Sequence, residues 1–449
     1  MKKTLLLVLI LIPIWLWAQD MPFAVKNKTR FSSSGMVGYE TIDSLRYYRA
    51  RLIQEFKVWK IGVGLDLDFL FDRNYRLRTS DWDDWMDVLD KFYYIRYGKR
   101  DEPVFVHVGG FPDFTIGHGL VMQKYSNMEL YSQYRNLGLM LGTNLPMVPT
   151  QPSFELFDSN LKRNEILSFS GRFKPIPDST VAVLDDMVVG FTLAHDRNQY
   201  GNLRYLAADD LQEEVKELPR RSVTVMGVAI NQPLVKQEKF ALDAYTEFAH
   251  IGGLGTGFII PGLSTTFWFT KIDSGMKINL EYRRYSNAFT PSFFDEDYEE
   301  ERGYYDYERN EFMTKKKFVK GLGPANGING EVELNLKRRV KTSVKWQNII
   351  GEDYKNGKSL WLKLWVDTQW GRLENFSLGY SRTKQERLSI RKFYDPGTKA
   401  NLAMTFRLGK RWYFIAKYAE TYKDKDGDGQ VNWLKETKHS FGAGLKYLH

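Results

Sequence analysis

The sequence predicts an all-β fold: a transmembrane antiparallel β-barrel of about 16–18 strands, with short turns at one end and long loops at the other. Three observations point there. Apolar and polar residues alternate with a period of two along most of the chain. The connections between those runs alternate long and short. Aromatic residues make up 15% of the 449 residues, in a chain with no Cys.

The alternation is clearest over residues 359–382. Leu360, Leu362, Leu364, Val366 and Trp370 alternate with Trp361, Lys363, Trp365, Asp367 and Gln369. Successive side chains of a strand point to opposite faces, so one face is apolar and the other polar with aromatics. Gly371-Arg372 turns the chain. Phe376, Leu378 and Tyr380 then alternate with Asn375, Ser377, Gly379 and Ser381 on the way back.

From the start, Lys2 and Lys3, an apolar run from Thr4 to Trp17 and a small Ala18 read as a secretory signal peptide over 1–18, leaving 19–449 as the barrel. Loss of the two lysines lowers the formal charge of +9 by two, to +7. An exported chain of this charge suits anionic headgroups, surface sugars or a solute, and no nucleic acid. The mean hydropathy of −0.43 argues against a bundle of membrane helices.

Strands are expected at 31–40 and 45–58. Next, Ile61, Val63, Leu65, Leu67 and Phe69 alternate with Gly62, Gly64, Asp66 and Asp68. Carboxylates facing lipid are costly, so the aspartate face is the interior. Residues 80–92 change period: Trp82, Trp85, Met86, Leu89 and Phe92 lie at helical spacing behind Asp81, Asp83 and Asp84, which predicts a short acidic helix in a connection. Strands at 93–98 and 104–111 follow. Gly109, Gly110, Pro112, Gly117 and Gly119 then break the pattern. Pro is poorly tolerated in a central strand, so a segment within 109–165 that folds into the lumen, or a strongly bent strand, is expected.

The pattern resumes at 135–145 and is regular from Glu165. Leu167, Phe169 and Phe173, then Val189, Phe191 and Leu193, then Val223 and Val225 mark strands. Phe240, Leu242, Ala244 and Phe248 alternate with Asp243, Tyr245 and Glu247. Further strands are expected at 263–272, 276–287, 328–338, 340–350, 359–370, 372–383, 400–409, 410–421 and 437–447. Back from the C-terminus, long connections at 423–436, 384–399, 287–327 and 197–219, with a medium one at 351–358, alternate with tight ones at Gly409-Lys410, Gly371-Arg372, Arg338-Arg339 and 273–275.

The signal peptide, the alternation, the loop lengths and a last strand with Phe441, Ala443, Leu445 and Tyr447 on one face together resemble the porin-like outer-membrane β-barrels of Gram-negative bacteria. The Trp17-Ala18-Gln19-Asp20 ending is similar to signal peptides of the Bacteroidetes group. The resemblance implies the cell outer membrane, with lipid and lipopolysaccharide as surroundings. It also implies periplasmic termini and short turns, and long loops outside. That class usually ends on an aromatic residue; this chain ends Tyr447-Leu448-His449, which displaces the terminal assembly signal.

The implied function is a channel for passive or weakly selective passage of small hydrophilic solutes. The alternative is a non-conducting barrel that anchors or helps assemble a surface or secretion complex; a homo-oligomer suits either. The expected pore-lining residues are Asp243, Glu247, Arg283, Glu331, Glu333, Lys341, Lys345, Lys363 and Asp367, beside Asp66, Asp68, Arg172, Glu281 and Arg407. Rings of one sign would set ion selectivity, but here both signs appear, which suggests internal ion pairs or a pore without strong charge preference.

Asp424, Asp426, Asp428, Gln430 and Asn432, with Gly429 between, look like the calcium loop of EF-hand and dockerin repeats. Carboxylates two residues apart converge on a hard Ca²⁺ where Gly permits the sharp turn. Lys435 stands at the twelfth position and Glu436 one later, so a structural Ca²⁺ and a merely solvated acidic turn both remain open. The acidic, Tyr-rich stretch 294–311, followed by three lysines at 315–317, reads as a solvated outer loop. No enzyme is expected. His107, His118, His195 and His250 are scattered, and neither His-Glu-x-x-His nor Gly-x-Ser-x-Gly occurs. His118 with Ser126-Asn127 is the nearest approach to a His–Ser–Asn set.

Overall fold

The structure, a computed structural model, describes residues 30–448 apart from 43–44, 80–81, 83–88, 90, 132–133, 178–183, 185, 308, 355–356, 389–393, 423–430 and 432–435. The signal peptide expected at 1–18 and nearly all of the acidic helix expected at 80–92 lie outside the described residues.

The first strands are β1 (Phe31–Ile42), β2 (Leu45–Val58), β3 (Ile61–Phe71), β4 (Phe92–Tyr97), β5 (Val104–Gly109), β6 (Phe114–Ile116), β7 (Met122–Tyr125), β8 (Gly138–Asn144), β9 (Ser153–Asp158) and β10 (Ile166–Phe173). Next come β11 (Val188–Asp196), β12 (Val223–Lys236), β13 (Phe240–Ile251), β14 (Thr256–Phe269), β15 (Ser274–Tyr285), β16 (Gly303–Asp306) and β17 (Glu311–Thr314). The last are β18 (Ala325–Leu336), β19 (Val340–Gly351), β20 (Lys358–Trp370), β21 (Leu373–Gln385), β22 (Thr398–Arg407), β23 (Trp412–Tyr422) and β24 (Thr437–Leu448).

All of these except β6, β7, β16 and β17 belong to one 20-stranded antiparallel sheet. β1 pairs with β2 on one side and β24 on the other, so the sheet closes on itself. Closure leaves no open edge, which hydrocarbon would punish by several kcal/mol per unpaired backbone group. The count is twenty rather than about 16–18. Between 92 and 158 the wall is built from strands of only six or seven residues, and Ser-Phe-Glu-Leu-Phe-Asp of β9 spans too few alternations to stand out.

One face of each long strand is apolar and turned outward. Leu52 and Phe56 of β2, Val228 and Ile230 of β12, Ile328 and Val332 of β18, Val344 and Trp346 of β19, and Leu362 of β20 are all exposed. Outward rings meet across strands, as Phe248 and Phe258 do at 5.0 Å between centroids. Pro261, which has no N–H to offer the ladder, sits where the β13–β14 and β14–β15 registers shift. The start of β1 and the end of β24 lie at the end with the tight turns 59–60, 237–239, 337–339 and 371–372. From the opposite end come the long connections 72–91, 110–137, 197–222 and 286–324. The alternation has exceptions: 174–187 is long among the tight turns, and 252–255 is short among the long loops.

Candidate functional site

Two of the long connections turn into the barrel. In the first, β6 and β7 form a small two-stranded ribbon. In the second, residues 289–302 run against that ribbon. Ser292 N donates to Leu120 O at 2.8 Å, and Gln123 N to Phe294 O at 3.0 Å. Leu120, Val121, Met122, Phe289, Phe293, Phe294 and Tyr298 are fully buried. They join one apolar cluster with inward side chains of the wall, among them Phe157, Ile166, Ala194, Val225, Ile251 and Ile259. The dry core of this protein therefore lies inside its barrel. Gly257 of β14 makes room for it, since a Cβ there would collide with the Phe289 ring. The 197–222 connection locks onto the same loop: Asn202 Nδ2 donates to Gly303 O at 2.9 Å, and Lys316 N to Gln199 Oε1 at 3.0 Å.

The stretch 294–302, expected to be a solvated outer loop, is instead a plug. Four of its acidic residues, Asp295, Asp297, Glu299 and Glu301, are held by cations. Arg302, 2% exposed, pairs with Glu165, with Asp196 at 3.5 Å and with Glu299 at 3.1 Å. Tyr298 Oη donates to Asp196 at 2.9 Å, and Tyr125 Oη donates to Glu299. Burial pushes the Glu299 carboxyl up to about 7 even though Arg302 opposes it. Burial also works to raise Glu165, but there the Arg302 guanidinium wins and holds it below the usual carboxylate range. On the other flank, Lys399 of β22 meets Glu129 at 2.8 Å and also Asp297. Lys384 of β21 meets Glu301 and, at 3.6 Å, Asp297. Lys315 meets Asp295 at 2.8 Å. An unpaired buried charge costs several kcal/mol, so these pairs set where the plug sits.

A third network joins the first infolded segment to β2 and β3. Asp66, wholly buried, accepts from Arg51 Nε and Nη2, both at 2.7 Å, from Arg135, and from Tyr131 Oη at 3.2 Å. Arg49 spans Glu40 at 2.6 Å and Asp68 at 2.8 Å.

The residues singled out as lining fall into two groups. Glu247, Arg283 and Lys345 are buried against the plug or its surroundings. Glu247 accepts from Leu120 N at 3.0 Å, Arg283 Nε donates to Glu281 at 2.7 Å, and Lys345 Nζ donates to Gln123 Oε1 at 2.6 Å. The rest run from the level of Lys345 toward the tight-turn end. Lys363 reaches Asp113 at 3.4 Å, and Glu331 accepts from Ser343 at 3.2 Å. The Lys341 ammonium sits 5.7 Å from the Trp365 ring centre. Asp243, Glu333 and Asp367 stand at inward registers opposite Ser264, Lys277 and Asn375. Sequence reasoning missed Arg49, Arg51, Arg135, Arg302 and Lys399. Counting register from the turn at 59–60 would have set Arg51 across from Asp68; nothing local announces Arg302.

Of the calcium-loop residues, Asp424, Asp426, Asp428, Gln430 and Asn432 lie outside the described residues; Glu436, 4% exposed, stands at the foot of β24. His118 stacks on Tyr245 at 3.9 Å, while Asn127 accepts from Phe111 N and donates to Ser159 O. His118 and Asn127 thus have other partners and form no His–Ser–Asn set.

No family model matches this sequence, and no curated protein matches it. Solved structures with a similar fold include the siderophore receptor PirA from Acinetobacter baumannii, 9% identical with a TM-score of 0.43, covering 93% of this chain and 80% of that one. Wzi of Escherichia coli, an outer-membrane protein involved in group 1 capsule assembly and a carbohydrate-binding β-barrel, is 11% identical over 94% of this chain and 85% of its own, at a TM-score of 0.37. OccK2 (OpdF) of Pseudomonas aeruginosa, solved with glucuronate, is 10% identical over 93% and 97%, at 0.34. These are likenesses of architecture alone. A closed sheet with an apolar belt turned outward and its charges turned inward needs lipid around it, and this chain is a β-barrel of the outer membrane.

Proposed function

We propose that the protein is a restricted conduit for small hydrophilic solutes, which pass along one side of the plug rather than through an open pore. The observation that carries this reading is an asymmetry of the interior. From β9 to β15 the wall meets the plug through the apolar cluster and through polar groups that are themselves buried, Asp196, Glu247 and Arg302 among them, which closes that side to water. From β20 to β22 it meets the plug through ions: Lys363, Lys384 and Lys399 on the wall face Asp113, Asp295, Asp297, Glu301 and Glu129. The Lys363 and Lys384 side chains keep 50% and 44% of their exposure, so solvent reaches this seam. Hydrated charges of both signs can exchange hydrogen bonds with a passing polar solute, and the lumen below continues with Lys341, Glu333 and Asp367.

Planar-bilayer recording of the refolded chain tests this. Small discrete conductance steps are expected, enlarged in Lys384→Gln, which frees the 295–301 stretch on that side. The second reading, a closed barrel serving as an anchor, draws support from the size of the buried apolar cluster. A silent barrel, in the wild type and in Lys384→Gln alike, would decide for it.

A further inference from the structure

We propose that Lys124, Lys345 and Trp361 form a binding site for the oxyanion group of a small solute, a carboxylate or a phosphate. The proposal rests on the seam being the solute route and names what the seam selects. Lys124 belongs to the infolded ribbon, whereas Lys345 and Trp361 face each other across β19 and β20. Both ammonium groups lie against the same indole, 4.6 Å and 5.1 Å from its ring centre. Two like charges are thus brought together in a part of the lumen where Lys345 is only 2% exposed.

What sets this pair apart is that the carboxylates around it, Glu296, Asp113 and Glu331 among them, act on it only from beyond contact. Lys315, Lys384 and Lys399 each have at least one carboxylate in contact. Among the described residues, neither Lys124 nor Lys345 has a carboxylate within ion-pair distance; Lys345 donates to the neutral Gln123 amide at 2.6 Å. The acids nearby are engaged elsewhere. Glu296 accepts from Trp361 Nε1 at 2.7 Å, Glu331 from Ser343 at 3.2 Å, and Asp113 meets Lys363 at 3.4 Å. A ring face stabilises a cation by less than burying an ammonium costs.

The backbone agrees. Lys124 has φ of +53°, a left-handed conformation that is strained for a residue with a side chain. Its N–H is pinned to Thr115 Oγ1 at 2.9 Å, which holds the strained residue in place. Burial, ahead of the opposing pull of Glu296, draws the Lys124 ammonium below its ordinary range. An incoming oxyanion relieves that burial cost and the repulsion between the two lysines together. Lys363, two positions from Trp361 on the same inward face and half exposed, offers the approach from the wet side.

The test is calorimetric titration of the full refolded chain in detergent with inorganic phosphate and, separately, with succinate. Saturable binding of at least one is expected. It should weaken at least tenfold in Lys124→Gln and in Lys345→Gln, and stay within twofold in Lys320→Gln, an exposed lysine away from the seam. The arm that binds tells phosphate from carboxylate. Absence of saturable binding in the wild type overturns the site without any variant, as does undiminished binding in a folded double variant. Binding in a barrel silent in bilayers would leave the site standing and remove the route; conductance without binding would do the reverse.

Discussion

Replacing Arg302 by Met removes one cation from among three carboxylates. Asp196 and Glu299 are 0% and 1% exposed, so neither can recover its lost partner from water without movement. Removing one partner of a buried ion pair costs about 3–5 kcal/mol. The four large apolar side chains of the same loop, Phe289, Phe293, Phe294 and Tyr298, each stabilise its seating by roughly 1.5–3 kcal/mol. The loop should therefore stay mostly seated but open far more often. At about 1.4 kcal/mol per tenfold, opening should rise by roughly two to nearly four orders of magnitude. Hydrogen exchange of the 293–306 stretch, corrected for intrinsic rates and read at pH 7.5 in detergent, measures this while the wall strands stay protected. The pH dependence has a definite sign. Without the guanidinium the buried carboxyls hold protons more tightly in the seated state than in the open one. Seating then strengthens as pH falls and weakens as it rises through the raised values, with Glu299, already near 7, leading. Protection should partly return at pH 5. If the stretch exchanges within twofold of wild type at pH 7.5, the Arg302 cluster does not hold the plug.

Asp66→Ala should cost about 3–5 kcal/mol by leaving Arg51 and Arg135 facing each other, and should lower the temperature at which the barrel loses its compact electrophoretic mobility. Gly257→Leu should drive the Phe289 ring out of its place at a cost of about 1–3 kcal/mol, seen as faster proteolysis within 286–324 with the wall intact. Leu362→Arg puts a guanidinium on the outward face in mid-strand and should lower folding stability in lipid vesicles by about 2–4 kcal/mol, measured by denaturant titration. An unchanged midpoint there would mean that this face does not meet hydrocarbon.

Most of the wall was legible because a strand announces itself through its nearest neighbours. Leu360 to Val366 and their polar partners needed only a period of two, and the hairpin at Gly371-Arg372 only its turn. The inward face of β3 was legible too, because Asp66 and Asp68 cannot face lipid. Legibility failed where strands were short, as in β9, and where charge was taken as a sign of solvation. The stretch 294–302 carries six carboxylates before Arg302, which is why it read as an outer loop. Asp295, Asp297 and Glu301 meet lysines of other segments and Glu299 meets Arg302, and that makes burial affordable.

Alternation, turn chemistry and loop length are local, so the sequence alone determined a closed, lipid-facing barrel and which side of each long strand turns inward. What fills the barrel is decided by contacts between distant residues: Arg302 with Glu165 across 137 positions, Lys399 with Glu129 across 270. Only once the wall has closed do those groups come within a few ångströms in a medium that screens charge poorly, and only there does pairing outweigh desolvation.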